Sequence, residues 1–350
     1  MRMILNYIGR MKSLSALLLT CHRWTGLTLG LVVLYMALTG AGLAFRTQLE
    51  PLTDAALLAA PVCRMRPLDD LTSAAIAAHP GKLESLRFDP RGGQTLAVHL
   101  ADGITVYVDP CDGAVRGQRG NFGGLFGGLE QWHRLLFWEA HDVALTIVAG
   151  GFLALLVIAG FIVWWPRRRM GMKINAKLKG QALLANIHRT VGFYGGLILL
   201  VTAATGLMMV TDVGKAPPRK MAVGDGEPAG PAVLWTNAAA KLSAPIDVLI
   251  RLPRRKSDPV RMLVREADAP HPRARDELIL DPVSGEVLSY VPYEKTSTGG
   301  KFANWLVSVH TGQVGGVFGA ALMFCGAASV PVLAYCGILL YWRRRKTVKA

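Results

Sequence analysis

Four apolar runs, residues 14–45, 143–165, 187–210 and 314–342, restrict what this chain can fold into more than any other feature. Each reaches the roughly 20 residues that an α-helix needs to cross a hydrocarbon core about 30 Å thick. A helix bonds its own backbone, so lipid imposes no unsatisfied N–H or C=O. Composition agrees: of 350 residues 51% are hydrophobic and only 18% charged, below the usual share for a soluble domain. The chain reads as an α-helical membrane protein with four transmembrane helices and two long polar stretches between them.

The net charge of +15 raises the question of a nucleic-acid partner. Its distribution removes the need for one. Residues 1–23, 167–189 and 343–350 hold sixteen Lys and Arg and no Asp or Glu. Residues 47–131 carry seven basic and ten acidic residues, and residues 212–305 fourteen and twelve. This is the positive-inside pattern. It predicts a cytoplasmic tail (1–13), a first span (14–45), an outer domain (46–130), a second helix with an outer extension (131–166) and a basic cytoplasmic loop (167–186). A third span (187–210), a second outer domain (211–304), a fourth helix with an outer extension (305–342) and a basic cytoplasmic tail (343–350) follow. The first run is too long for a signal-peptide core, and a near copy of it lies in mid-chain, so it reads as a retained helix.

That copy is the second constraint. HRWTGLTLGLVVLYMALTG from His22 aligns with HRTVGFYGGLILLVTAATG from His188, with His, Arg, Gly26/Gly192, Gly30/Gly196, Thr39/Thr205 and Gly40/Gly206 coinciding. His133 lies 32 residues before Trp165 and His310 lies 32 before Trp342, and Gly160 aligns with Gly337. DPCDGAV at Asp109 mirrors DPVSGEV at Asp281, each a turn signal after a strand-like run. The chain reads as an internal duplication of helix, outer α/β domain and helix.

The duplication arranges four histidines in two layers: His22 and His188 toward the cytoplasm, His133 and His310 toward the outside. Ionisable groups at membrane depth are expensive and tend to mark function. A zinc or copper site would want further Cys, Asp or Glu in the layer, and the cytoplasmic layer has no acidic residue. Facing imidazoles in a helical bundle suit the two axial positions of a haem iron. Gly26 and Gly30 follow His22, and Gly192 and Gly196 follow His188, on one helix face where a flat macrocycle has room to approach the backbone; ordinary small-residue helix packing is the competing explanation. Arg23 and Arg189 suit either haem propionates or interface anchoring. His141, eight residues after His133, is an alternative outer ligand.

Other motifs say less. No C-x-x-C-H occurs, which argues against covalent haem attachment. Cys63 and Cys111 share the first outer domain, where a disulfide and two free thiols both remain open. Cys325 and Cys336 read as small core residues, and Cys21 has no assigned role. GNFGGLFGGLE from Gly120 lacks the P-loop lysine and reads as a hinge. RLPRRK from Arg251, with Trp235, Tyr290 and Tyr293, reads as a solvated charge run or a surface for an anionic iron chelate. Trp132 and Trp305 each fall within five residues of an outer histidine and suit either substrate contact or interfacial anchoring. No dinucleotide fingerprint is present, so electrons would come from a separate donor.

Taken together, the two histidine-glycine helices, the WHRLLFW to WWPRRR unit, the VHTGQVGG to YWRRR unit and the two DPxxG turns resemble the PepSY-associated transmembrane family, also described as iron-regulated membrane proteins. The chain departs from the usual family pattern in carrying Glu139, Ala140, His141 and Asp142 after the second histidine helix begins. The resemblance implies two periplasmic PepSY-like α/β domains and, in the ferric-siderophore reductase members, two b-type haems passing electrons across a bacterial inner membrane. The expected function is thus reduction of a periplasmic ferric siderophore by a dihaem oxidoreductase. The rival readings are a cytochrome subunit serving a protein acceptor and a haem-free PepSY scaffold or protease modulator.

Overall fold

The structure is a computed structural model describing residues 16–135, 142–165, 172–210, 221, 223–224, 226–255 and 257–349. The expected N-terminal tail, His141, the first residues of the basic middle loop and residues 211–220 lie outside the described residues. The chain forms two compact units.

The first unit is helical. It contains α1 (Ala16–Thr28), α2 (Gly30–Leu43), α7 (Asp142–Trp164), α8 (Gly180–Val210) and α11 (Gly316–Lys349). Two shorter helices, α6 (Gly124–Leu135) and α10 (Thr298–His310), enter it from Leu129 and Val309 onward. Val143–Trp164, Gly180–Val210 and Gly316–Arg343 are long and apolar enough to cross a membrane, and α1 with α2 makes a fourth span if the bent pair is counted as one. The expected unbroken first helix is therefore bent, by 63°. The break at Leu29 falls between Gly26 and Gly30, and the Thr28 hydroxyl turns back to the carbonyl of Trp24 at 2.8 Å, a combination that weakens the helical ladder.

Within this unit α8 packs on α7 and α11, and α11 packs on α2. Val33, Leu199 and Val330 form the centre, with Leu34, Ala37, Leu153, Leu156 and Val157 around them. The opposite faces are apolar and open: Leu31 is 74% exposed and Phe318 77%. On a helix of this length such surface is what a lipid-facing side presents. Asn186, buried at the start of α8, accepts from the Asn175 amide at 2.8 Å and donates to the Lys173 carbonyl at 3.1 Å, which pins the end of the basic loop. Cys336 is buried as expected, whereas Cys325 is exposed on α11 rather than in the core.

The second unit gathers both polar stretches into one eight-stranded antiparallel sheet. The first stretch supplies α3 (Arg46–Thr53), α4 (Ala55–Leu58), α5 (Leu68–Ala78), β1 (Leu83–Phe88), β2 (Leu96–Leu100), β3 (Ile104–Val108) and β4 (Val115–Gly120). The second supplies α9 (Pro231–Ala239), β5 (Pro245–Arg251), β6 (Val260–Glu266), β7 (Asp276–Leu280) and β8 (Val287–Val291). Strand order is β4-β3-β2-β1-β5-β6-β7-β8, the same sequence of meander positions read from either edge. The two stretches, expected as separate domains, meet where β1 pairs with β5, Leu86 opposite Ile250.

Alternation explains why one sheet face carries the apolar core. Leu86, Phe88, Val98, Val106, Val248, Ile250, Met262, Val264 and Leu278 point to a common core, as period-2 patterning requires. Helix α5 begins after Pro67 with Asp69 and Asp70 in its first turn, favourable charges for a helix N-terminus. It lays Leu68, Leu71 and Ala75 on that face, and α9, with Pro231 at its start, adds Leu234 and Ala238 at i, i+4 spacing. Burying each Leu or Ile contributes about 1.5–3 kcal/mol. The DPxxG turns take matching forms: the amides of Gly113 and Gly285 donate to the carbonyls of Asp109 and Asp281, both at 3.0 Å, with positive φ at each glycine. Cys63 and Cys111 form a disulfide. The glycine-rich stretch read as a hinge is helical from Gly124 onward.

At the β1–β5 seam, Arg87 grips Asp247 through two hydrogen bonds of 2.9 and 3.1 Å, and Arg275 adds a third at 2.5 Å. Burial raises the Asp247 carboxyl, but the Arg87 bonds and the charges of Arg87, Arg275 and Arg265 outweigh it and hold it below the usual carboxylate range. A carboxyl depressed in the folded state contributes stability above its unfolded pKa of about 3.9 and loses it as pH falls toward the folded value. Thermal unfolding of the purified protein is therefore expected to be flat from pH 7 to 5 and to drop below about pH 4. Asp247→Ala should cost about 3 kcal/mol at neutral pH, chiefly by taking from the buried Arg275 guanidinium its carboxylate partner, and should flatten the acid limb; an unchanged acid limb would show that Asp247 does not carry it.

Candidate functional site

The histidines fall into two facing pairs within the helical unit. His22 on α1 and His188 on α8 have ring centroids 6.3 Å apart at an interplanar angle of 87°. His133 on α6 and His310 on α10 are 6.5 Å apart at 49°. The structure thus brings together the residues that the repeat had paired.

Each ring has its Nδ1 against a carbonyl of a neighbouring helix. The Nδ1 of His22 lies 3.0 Å from the Leu156 carbonyl on α7, and that of His188 lies 3.1 Å from Leu333 on α11. His133 Nδ1 lies 3.1 Å from Met36 on α2, and His310 Nδ1 lies 3.1 Å from Thr202 on α8. A carbonyl only accepts, so Nδ1 carries the proton in all four, and Nε2 is left with its lone pair. No hydrogen bond to any of these Nε2 atoms is found among the described residues.

Four glycines make this possible, each one turn after the carbonyl used: Gly160 after Leu156, Gly337 after Leu333, Gly40 after Met36 and Gly206 after Thr202. A Cβ placed there would stand 3.3, 3.7, 3.1 and 3.0 Å respectively from the Cε1 of the seated imidazole. Glycine opens a notch in the helix surface, and the ring edge drops into it far enough to reach a carbonyl already committed to the helical ladder. These glycines were aligned by the repeat but not assigned a role from sequence. Their coincidence between the two halves, together with the Thr39/Thr205 match, was the available signal.

The glycines singled out from sequence behave less uniformly. Gly26 and Gly192 lie beside the side chains of Leu156 and Leu333, at 3.8 and 3.5 Å, the same two leucines whose carbonyls hold the histidines. Gly30 has open space where a Cβ would be, whereas Gly196 is packed tightly against Val157 and Phe161. Arg23 is half-buried. Arg189 has its Nε buried without a hydrogen-bond partner, as does the Thr190 hydroxyl beside it and the indole N–H of Trp164; Trp164 stacks on Phe193 at 4.7 Å. Trp132 and Trp305 are about half exposed. In the sheet unit, Arg254 of the RLPRRK run donates to Glu84 at 2.6 Å, Trp235 packs edge-on against Phe88, and Tyr290 donates to Asp276, so much of that surface is engaged internally.

The pair spacing bears on what could bind. A metal–imidazole bond of about 2.0–2.1 Å, plus about 1.1 Å from nitrogen to ring centre on each side, places the centroids of two imidazoles sharing one metal on opposite sides about 6.3 Å apart. Both pairs have that spacing. Among the described residues no group of three or more His, Cys, Asp or Glu is arranged to hold a metal ion, so a metal between either pair would draw two ligands from the described residues.

Residues 19–344 match the family described as PepSY-associated TM region, and the chain belongs to that family. It is a membrane protein, with three to four apolar helices and an eight-stranded antiparallel sheet. No curated protein matches the sequence.

The notches give a graded expectation. Gly206→Ala and Gly40→Ala, with the closest approach to the ring, should displace His310 and His133 most, and Gly337→Ala, at 3.7 Å, should be tolerated best. Overpacking of this kind costs roughly 1–3 kcal/mol. Thermal stability of the four single variants would rank them; an order unrelated to the distances would mean that the rings are not seated by these glycines.

Proposed function

We propose that this protein is a dihaem oxidoreductase of a bacterial inner membrane, built by duplication, that takes electrons from a donor on the cytoplasmic side and reduces a ferric siderophore in the periplasm, releasing its iron. The observation that carries the reading is the two imidazole couples, with ring centroids 6.3 and 6.5 Å apart, each ring donating its Nδ1–H to a carbonyl and leaving the Nε2 lone pair available to a metal. Two protein ligands per site suit b-type haem, whose macrocycle supplies the other four. Haem, when bound, supplies one-electron exchange at iron.

His22 and His188 would hold the inner haem, His133 and His310 the outer one. The carbonyls of Leu156, Leu333, Met36 and Thr202 fix the tautomer and ring orientation and raise the basicity of the ligating nitrogen. The apolar helices exclude water from the ligand pairs. Arg189, with an orphaned buried Nε, and Arg23 are suited to carboxylates at the cytoplasmic edge, where a charged donor in need of an acceptor is otherwise costly.

The topology is part of the proposal. The basic termini and middle loop favour the cytoplasm under the positive-inside rule, and the sheet unit with its Cys63–Cys111 disulfide suits an oxidising periplasm. The mirrored strand order, the matching DPxxG turns and the four equivalent histidine seats support a duplicated chain with PepSY-like domains. Exposed Trp132, next to His133, and Trp305, five residues before His310, are candidates for contact with the chelate. One electron delivered to Fe(III) weakens its hold on hard oxygen donors, and the chelator releases Fe(II).

The test is spectroscopic. Detergent-purified protein should carry about two low-spin haems per chain, following the two histidine pairs. His22→Ala or His188→Ala should remove one and leave the other, His133→Ala or His310→Ala the reverse, and the two outer-pair variants should abolish reduction of a ferric hydroxamate chelate by the dithionite-reduced protein, whereas the two inner-pair variants should retain it. Wild-type protein without haem after expression with ample haem would overturn the reading.

A further inference from the structure

The two histidine pairs are seated alike but not identically. At His133 the Nδ1 lies 3.0 Å from the Thr39 hydroxyl in addition to 3.1 Å from the Met36 carbonyl. At His310 the Nδ1 lies 3.1 Å from the Thr205 hydroxyl in addition to 3.1 Å from the Thr202 carbonyl. Each threonine sits three residues after the carbonyl and one before the notch glycine. Its single hydroxyl hydrogen is directed to helix carbonyls: Tyr35 and Met36, both at 3.0 Å, for Thr39, and Val201 at 2.8 Å and Thr202 at 3.1 Å for Thr205. A hydroxyl that donates to the helix presents a lone pair to the imidazole. The N–H of His133 and of His310 is therefore shared between two acceptors.

The other pair lacks this. The equivalent positions, three residues after Leu156 and Leu333, are Ala159 and Cys336. Alanine offers no acceptor, a thiol offers a poor one, and no hydrogen bond joins Cys336 to His188 among the described residues. His22 and His188 each bond a carbonyl alone.

We propose that Thr39 and Thr205 are positioning residues that make His133 and His310 the more strongly electron-donating ligand pair, so that iron held there has the lower reduction potential of the two sites. The inference rests on the haem reading above. A second acceptor pulls the Nδ1 proton further from the ring, which gains imidazolate character; more charge at Nε2 stabilises Fe(III) over Fe(II). The outer site is then the stronger reductant, the one suited to passing an electron to a tightly held Fe(III), while transfer to it from the inner site runs against the potential difference.

The experiment is a potentiometric titration of the full-length protein in detergent, followed in the visible spectrum with haem quantified per chain, for wild type, Thr39→Val/Thr205→Val and Thr39→Ser/Thr205→Ser. His133→Ala identifies the outer haem by its loss. In wild type the lower midpoint should belong to the outer haem. The valine variant should keep both haems and raise that midpoint toward the inner one, which stays in place; the serine variant should restore it. If valine instead releases the outer haem, recovery of both haem and low midpoint in the serine variant supports the proposal, and failure of serine to recover them overturns it. Superimposable midpoints in wild type and valine variant, or movement of the inner midpoint, also overturn it. A wild type without haem would bring down the proposed function and this inference together, and is read before any variant is made.

Discussion

The helical unit depends on a bond between an imidazole N–H and a backbone carbonyl that the helix already uses. Inside an apolar bundle an unpaired N–H costs more than it would in water, and the helices leave few free acceptors. The solution here is a glycine one turn beyond the chosen carbonyl, which removes the Cβ that would keep the ring away. It occurs four times, at Leu156/Gly160, Leu333/Gly337, Met36/Gly40 and Thr202/Gly206. Once Nδ1 is committed in this way, tautomer, ring position and the availability of Nε2 all follow. The close pairing of His22 with His188 and of His133 with His310 then depends only on how the helices pack.

The sheet unit solves a different problem, that of joining two similar meanders without leaving a free central edge. Strands β1 and β5 pair antiparallel, so all the inner strands are bonded on both sides and only β4 and β8 remain as edges. The seam is reinforced by Arg87 on β1 and Asp247 on β5, residues from the two polar stretches whose bidentate contact crosses from one half to the other. Helices α5 and α9 cover the same face of the continuous sheet, and a single core of Leu, Val and Ile runs beneath both.

The part of the site legible in the sequence was its membership. His22, His188, His133 and His310 stand out because ionisable residues in apolar runs are rare and because they recur at equivalent places. Their supports were less legible. Gly26 and Gly30 drew attention by regular spacing on the histidine's own helix, yet the glycines against the rings sit on the neighbouring helices, and no periodicity within one helix reports a contact with another. Thr39 and Thr205 stand out in the sequence only as a matched pair of the repeat, and a threonine in an apolar helix most often bonds back to its own helix, which these also do. Cys325 illustrates the converse: small and apolar, it suited the core, but only the packing of α11 against α2 and α8 decides which side of that helix is inside.

The sequence alone determined that the chain is a membrane protein, where its apolar helices lie, that two sets of residues correspond, and which four histidines belong together, because hydrophobic length, charge placement and repetition are properties of the linear order. Tertiary structure alone decided that the two polar stretches share one sheet, that the first helix bends at Leu29, that Cys63 and Cys111 are joined, and which carbonyl and which glycine seat each imidazole. Those outcomes depend on distances between segments remote in sequence, and a local pattern carries no information about such distances until packing sets them.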